Sequence, residues 1–103
     1  MGDTAVIVTS TAQPGRREEI RAVYDEMMAP RAVANDAQEI VVWCDDLHDA
    51  DTFHLFEIYR DAESMGANAQ APWFAEYLAR VGPLMAGEPR MAMATPRWSK
   101  GLS

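Results

Sequence analysis

The chain opens with TAVIVTSTA, residues 4–12, which is rich in β-branched residues and free of breakers; this predicts a strand. The apolar period then changes. After QPGRREE, residues Ile20, Val23, Tyr24 and Met27 recur at i, i+3, i+4 and i+7, the spacing of a helix face. Pro14-Gly15 supplies the turn before that helix, and Glu18 and Glu19 suit its first turn, where the backbone dipole favours acids. The helix is expected to weaken at Pro30, which has no N–H to give the ladder. RAVANDA then reads as an irregular exit ending in an Asn35-Asp36 turn. QEIVVWCD (38–45) and TFHLFEIY (52–59) predict two further strands, and the short, turn-rich DLHDAD between them predicts an antiparallel hairpin. A second helical region starts with Asp61 as N-cap and Glu63 behind it, and runs to about Gln70. A proline costs little in a first turn, so Pro72 is expected to start a third helix, to about Met85, rather than interrupt the second. The last strand is read over 89–96, with RWSKGLS as a tail.

The order β-α-β-β-α(α)-β is that of an α+β ferredoxin-like split βαβ fold with an antiparallel four-stranded sheet. Both faces of the hairpin strands are apolar. Ile40, Val42 and Cys44 oppose Val41 and Trp43; His54, Phe56 and Ile58 oppose Phe53, Leu55 and Tyr59. A sheet with one wet face should alternate apolar and polar residues. Helices can cover only one face, so the other is expected to pack on a second copy, giving a two-fold homodimer.

Composition narrows the function classes. At 103 residues the chain is read as one domain, 1–103, and its hydrophobic content of 49% is high enough to leave apolar surface for a partner. The net charge is −7 with no basic stripe, which argues against a nucleic-acid partner. Apolar runs fall far short of the ~18–20 residues that span a bilayer, so no membrane partner is expected. MGDTAVIV has no basic region before its apolar run, unlike a secretory signal. The single cysteine, Cys44, cannot form an intramolecular disulfide and fits a reducing compartment, so a cytoplasmic location is expected.

Candidate chemistry is sparse. At ~100° per residue, Phe74, Leu78, Val81 and Met85 form one stripe of the third helix and are assigned to the core. Trp73 and Tyr77 sit one turn apart on its flank, either beside the cleft expected between helices and sheet or at a dimer rim or surface; each has an apolar body and a donor that seeks a partner. His54 is the one strand histidine. If its face looks towards the helices it points into the cleft, where an ordinary pKa of ~6.5 suits a general base. Glu57 lies on the opposite face and reads as a structural pair, with an arginine across the dimer as a candidate partner. Asn68 is either a helix C-cap or solvated residue, or an amide donor to a ligand. His48 and His54 do not have a metal-ligand spacing, so no metal is expected. No phosphate loop or dinucleotide fingerprint occurs. Cys44 is buried by pattern and has no evident base.

Four landmarks, in order, carry a resemblance: QPGRREE after the first strand, Pro30-Arg31 at the end of the first helix, DADTFHLFEIYRDAESM with Glu57 and Tyr59, and APWFAEYLARVGPLMAG. Over residues 4–96 the chain resembles the antibiotic biosynthesis monooxygenase-like family of dimeric α+β barrels, of the quinol and anthrone monooxygenase type. Asn68 and Trp73 stand where many members carry histidine. The resemblance implies a homodimer and a cofactor-independent oxidation, by O₂, of a small aromatic substrate such as a quinol, an anthrone or a polyketide. It also implies a site role for Asn68. His54 is then the expected base, with Asn68, Trp73 and Tyr77 as donors to the developing oxyanion, and Arg80 or Arg90 as added positive charge. The alternatives are a non-catalytic dimeric ligand-binding protein, an isomerase, or a haem-degrading relative. The last fits poorly, since Thr9, Ser10 and Thr11 occupy the first strand and no histidine follows residue 54 to serve as axial ligand.

Overall fold

The computed structural model describes residues 1–101; Leu102 and Ser103, the end of the expected tail, lie outside the described residues. Strand β1 (Thr4–Thr11) is followed by helix α1 (Arg17–Met27), helix α2 (Ala29–Ala34), and strands β2 (Gln38–Asp45) and β3 (Thr52–Tyr59). Helices α3 (Ala62–Ala69) and α4 (Pro72–Val81), a 3₁₀ turn at Gly82–Leu84 and strand β4 (Arg90–Ala94) complete the order. The sheet is antiparallel in the order β2-β3-β1-β4, the ferredoxin-like α+β fold expected from the sequence.

Local signals explain most boundaries. Gly15 takes φ 80° in the turn before α1, a conformation open to glycine, and its N–H donates to Asp51 at 2.9 Å. The Asp61 carboxylate caps α3 by accepting the Ser64 N–H at 2.8 Å. Pro72 is the first residue of α4, as expected, after Ala71 in extended conformation. The region after Met28 corrects the sequence reading. The first helix does break, but Pro30 falls in the first turn of a new helix, where its missing N–H is not needed, so residues 29–34 are helical rather than irregular. The helix from Pro72 also stops at Val81, not Met85, because Gly82-Pro83 tightens the chain into the 3₁₀ turn.

The helices cover one face of the sheet, here called the inner face. Ala12, Ile20, Tyr24, Phe53, Tyr77 and Val81 form the buried core there. Trp43 stacks on Phe53 with centroids 4.1 Å apart, and Tyr24 meets Trp43 edge-on at 5.2 Å. On α4 the core stripe is Tyr77 and Val81, not Phe74 and Leu78; Phe74 is half-buried and Leu78 exposed. The apolar flank of α4 is broad, and packing against α1, with the Tyr24 and Tyr77 rings 6.3 Å apart, selects its centre. The outer face carries Ile7, Val42, Phe56 and Cys44 uncovered by helices; Ile7 is 40% and Val42 44% exposed. Cys44 is therefore exposed in the monomer, contrary to its pattern, because the outer face has no covering layer. No helix among the described residues is long and apolar enough to cross a membrane.

Candidate functional site

Between the inner sheet face and the four helices lies a cavity of about 640 Å³. Val6, Val8 and Leu55 floor it, and Met65, Phe74 and Met85 line its walls. It opens towards β4, where Met91 is 61% exposed. The lining is overwhelmingly apolar, with a few convergent polar groups, which is the usual make-up of a small-molecule site.

The polar groups converge on Glu57 and Tyr59. Tyr59 donates its hydroxyl to Glu57 Oε1 at 2.9 Å, and Gln38 Nε2 donates to the same oxygen at 2.6 Å. Tyr59 Oη in turn accepts from Gln38 Nε2 at 3.1 Å and from Asn68 Nδ2 at 3.0 Å. A β-bulge makes this cluster. Strict alternation would put Gln38 on the outer face with Ile40, but the register shift between them aligns Gln38 with Tyr59 and turns its amide inward.

Several groups around this cluster keep free valence. Among the described residues Glu57 Oε2 receives no hydrogen bond, and the Tyr24 hydroxyl, the Tyr77 hydroxyl and the Trp73 indole N–H make none. None of these atoms is fully enclosed, and all four residues line the cavity. Arg31 of α2 lies over the Trp73 ring at 4.7 Å and places a cation at the rim.

Burial governs the titration of this cluster. Desolvation raises the Glu57 carboxyl above its ordinary value, only partly offset by the hydrogen bonds from Tyr59 and Gln38. Tyr24 is pushed up to about 12, by desolvation first and then by the Glu57 charge. Tyr59 and Tyr77 are raised further for the same first cause, with the Glu57 charge contributing to both. All three phenols therefore stay neutral and keep their O–H protons at physiological pH.

Of the sequence-derived candidates, Asn68, Trp73 and Tyr77 are brought together around this cavity. His54 is not. Its face of β3 is the outer one, where Nδ1 lies 3.0 Å from Thr9 Oγ1 and Nε2 2.8 Å from Asp46 Oδ1. That contact, with two backbone N–H groups, lowers Asp46 to about 2. The expectation that His54 points into the cleft fails because both faces of β3 are apolar, and alternation alone does not say which one the helices take. Glu57, read from the sequence as a structural pair, is bonded by Tyr59 and Gln38 of its own chain and lines the cavity. Arg80 is exposed and bonds Glu26, and Arg90 pairs with Thr9 on the outer face; neither lines the cavity. The cation there is Arg31. Gln38, Glu57, Tyr59 and Tyr24 were missed as a site. Glu57, a charged residue in an otherwise apolar strand, was the one signal that could have found it.

No protein-family model matches this sequence, and no curated protein matches it either. Solved structures do. A Caulobacter crescentus protein with the provisional name antibiotic biosynthesis monooxygenase is similar at a TM-score of 0.86 and 20% identity, over 94% of this chain and 92% of its own. This chain shares its fold. A Chloroflexus aurantiacus protein of the same provisional name gives a TM-score of 0.80 at 22% identity, over 97% and 98% of the two chains. Rv0793 of Mycobacterium tuberculosis gives 0.81 at 26%, over 95% and 98%.

Proposed function

We propose that this protein is a member of the antibiotic biosynthesis monooxygenase family that oxidises an electron-rich aromatic, of quinol, anthrone or polyketide type, with O₂ and no cofactor. One observation carries the reading. The cavity is large enough for a flat polycyclic ligand, and Glu57 Oε2 and the donors of Tyr24, Tyr77 and Trp73, which have no hydrogen-bond partner among the described residues, belong to side chains that all line it. Such a ligand packs on Leu55, Phe74 and Met65, with its carbonyl or phenolic oxygen at the donors. Loss of a proton makes it an anion electron-rich enough to reduce O₂ by single-electron transfer, and radical recombination forms the C–O bond. Neutral donors preset around the oxyanion stabilise it without reorganising. The electrons balance without an external reductant: an anthrone CH₂ becomes C=O, one oxygen atom enters the product and the other leaves as water.

The outer face supports a second part of this reading, a homodimer. Ile7 of β1 and Val42 of β2 are exposed there in the single chain and Phe56 of β3 is half-buried, which is the pattern of a surface that a second copy covers.

The test is O₂ uptake by purified protein given an anthrone or a hydroquinone in air, without added flavin or metal. Uptake above buffer is expected, lowered by Tyr77→Phe and Asn68→Ala and unchanged by His54→Gln. A panel with no uptake but saturable binding of the ligand would leave a binding protein in place of an oxygenase.

A further inference from the structure

Resting on the oxygenase reading, we propose that Glu57 is the proton acceptor of the cavity. We further propose that the protein enolises aryl ketones without oxygen, exchanging the acidic C–H of a CH₂ conjugated to a carbonyl with solvent. The argument starts from placement. Glu57 is the one carboxylate on the cavity floor; Glu88, on the loop before β4, lines the open side and is exposed. The polar groups that share the cavity lining with Glu57 and Glu88 come from the surrounding elements: Tyr24 of α1, Arg31 of α2, Gln38 of β2, Tyr59 beside it on β3, Asn68 of α3, and Trp73 and Tyr77 of α4. Of these only Arg31 is charged, and it stacks on Trp73 and makes no ion pair with Glu57.

The hydrogen bonds then divide the carboxylate in two. Oε1 is occupied by Tyr59 and Gln38, which fix the orientation of the group. Oε2 receives no hydrogen bond among the described residues and is not fully enclosed, so it remains an acceptor on a residue that lines the cavity. A carboxylate buried for structure alone gains from having both oxygens hydrogen-bonded. This one is held by one oxygen and offers the other. Burial makes it a stronger base than a surface glutamate, and the neighbouring phenols remain donors because burial and the Glu57 charge keep their protons on.

The step balances within the site. Glu57 Oε2 takes the proton as the substrate C–H bond breaks. The bonding pair moves into the ring system and the carbonyl π pair onto oxygen, where the Tyr24, Tyr77 and Trp73 donors meet the enolate. Reversal returns a proton to carbon. The open β4 side lets the carboxyl proton exchange with water between these events, so no oxidant is consumed. Carbanion formation is thus separable from the reaction with O₂.

The experiment is anaerobic. The purified full chain is incubated with anthrone in D₂O, and loss of the CH₂ proton signal is followed by NMR above the buffer rate. Wild type is expected to accelerate exchange, and Glu57→Gln to lower it by ~10²-fold or more, the ordinary share of a general base. Gln keeps the shape and an oxygen for Tyr59; near-UV circular dichroism and anthraquinone binding report that it folds. Glu57→Asp retains a carboxylate and should keep part of the rate. Should neither variant fold, the wild-type pH profile decides: the rate should fall with acidification through a group above the ordinary carboxylate range, and a flat profile overturns the proposal. No exchange by wild type, or equal exchange by a folded Glu57→Gln, also overturns it. O₂ uptake is read separately. Exchange without uptake keeps Glu57 as base and removes the oxygenase; uptake indifferent to Glu57→Gln does the reverse.

Discussion

Tyr59→Phe removes one oxygen atom and disturbs three hydrogen bonds at once: the donation to Glu57 and the acceptances from Asn68 and Gln38. The bond to the carboxylate alone is worth about 1.5–3 kcal/mol, and each amide bond about 1 kcal/mol net. Gln38 keeps its 2.6 Å bond to Glu57, and Asn68 faces a cavity that admits water, so part of the loss is recovered. A net cost of about 2 kcal/mol results. For a chain of 103 residues, an unfolding entropy of ~2.1 cal/mol/K per residue converts that into a fall in Tm of about 9 °C. Thermal unfolding by circular dichroism, at equal protein concentration, measures it. The cycle with Asn68→Ala isolates the Asn68–Tyr59 bond: the double variant should cost about 1 kcal/mol less than the sum of the singles. A Tm within ~2 °C of wild type, or strict additivity in the cycle, would refute the idea that this cluster is a coupled network.

Other perturbations probe other parts of the fold. Ile20→Ala empties a fully enclosed site and should cost about 2–4 kcal/mol by urea unfolding, since the surrounding rings of Tyr24 and Phe53 cannot collapse into the gap. Val42→Glu, on the outer face, should convert the proposed dimer into a folded monomer by sedimentation; an unchanged species would count against that face as the interface. Gly2→Ala sets a Cβ 2.1 Å from the Tyr59 carbonyl oxygen, so the N-terminus must peel away. The loss is limited to the Gly2–Glu39 and Asp3–Arg60 bonds, about 1 kcal/mol, with faster amide exchange at Asp3 as the readout. The pH dependence has two opposite arms. Asp46, held at about 2 by His54 and two backbone N–H groups, contributes stability above its unfolded value that is lost as pH falls towards 2; Asp46→Asn should flatten that acid arm. Glu57 is raised, so the native state keeps its proton longer than the unfolded chain does. Its contribution is present at low pH and lost as pH rises through its folded value, and Glu57→Gln should remove this decline.

The sequence by itself determined the element order and hence the ferredoxin-like sheet. Period, caps and turn residues act locally, and they worked at Asp61, Pro72 and Gly15. It also singled out Asn68, Trp73 and Tyr77, which the structure gathers at one cavity. Local signals misjudged Pro30 only because a proline can either end a helix or begin one. What the sequence left open was which side of the sheet the helices occupy. Both faces of β2 and β3 are apolar, so alternation separated His54 from Glu57 without ranking them. Packing of Ile20, Tyr24 and Tyr77 onto Phe53 made that choice, and it moved the titratable group of the site from an imidazole to a carboxylate. The bulge at Gln38 was equally invisible, because one extra residue reverses the parity that a strand pattern relies on. Tertiary structure thus decided the make-up of the candidate site: which carboxylate is buried, which of its oxygens is held, and which donors are left without a partner.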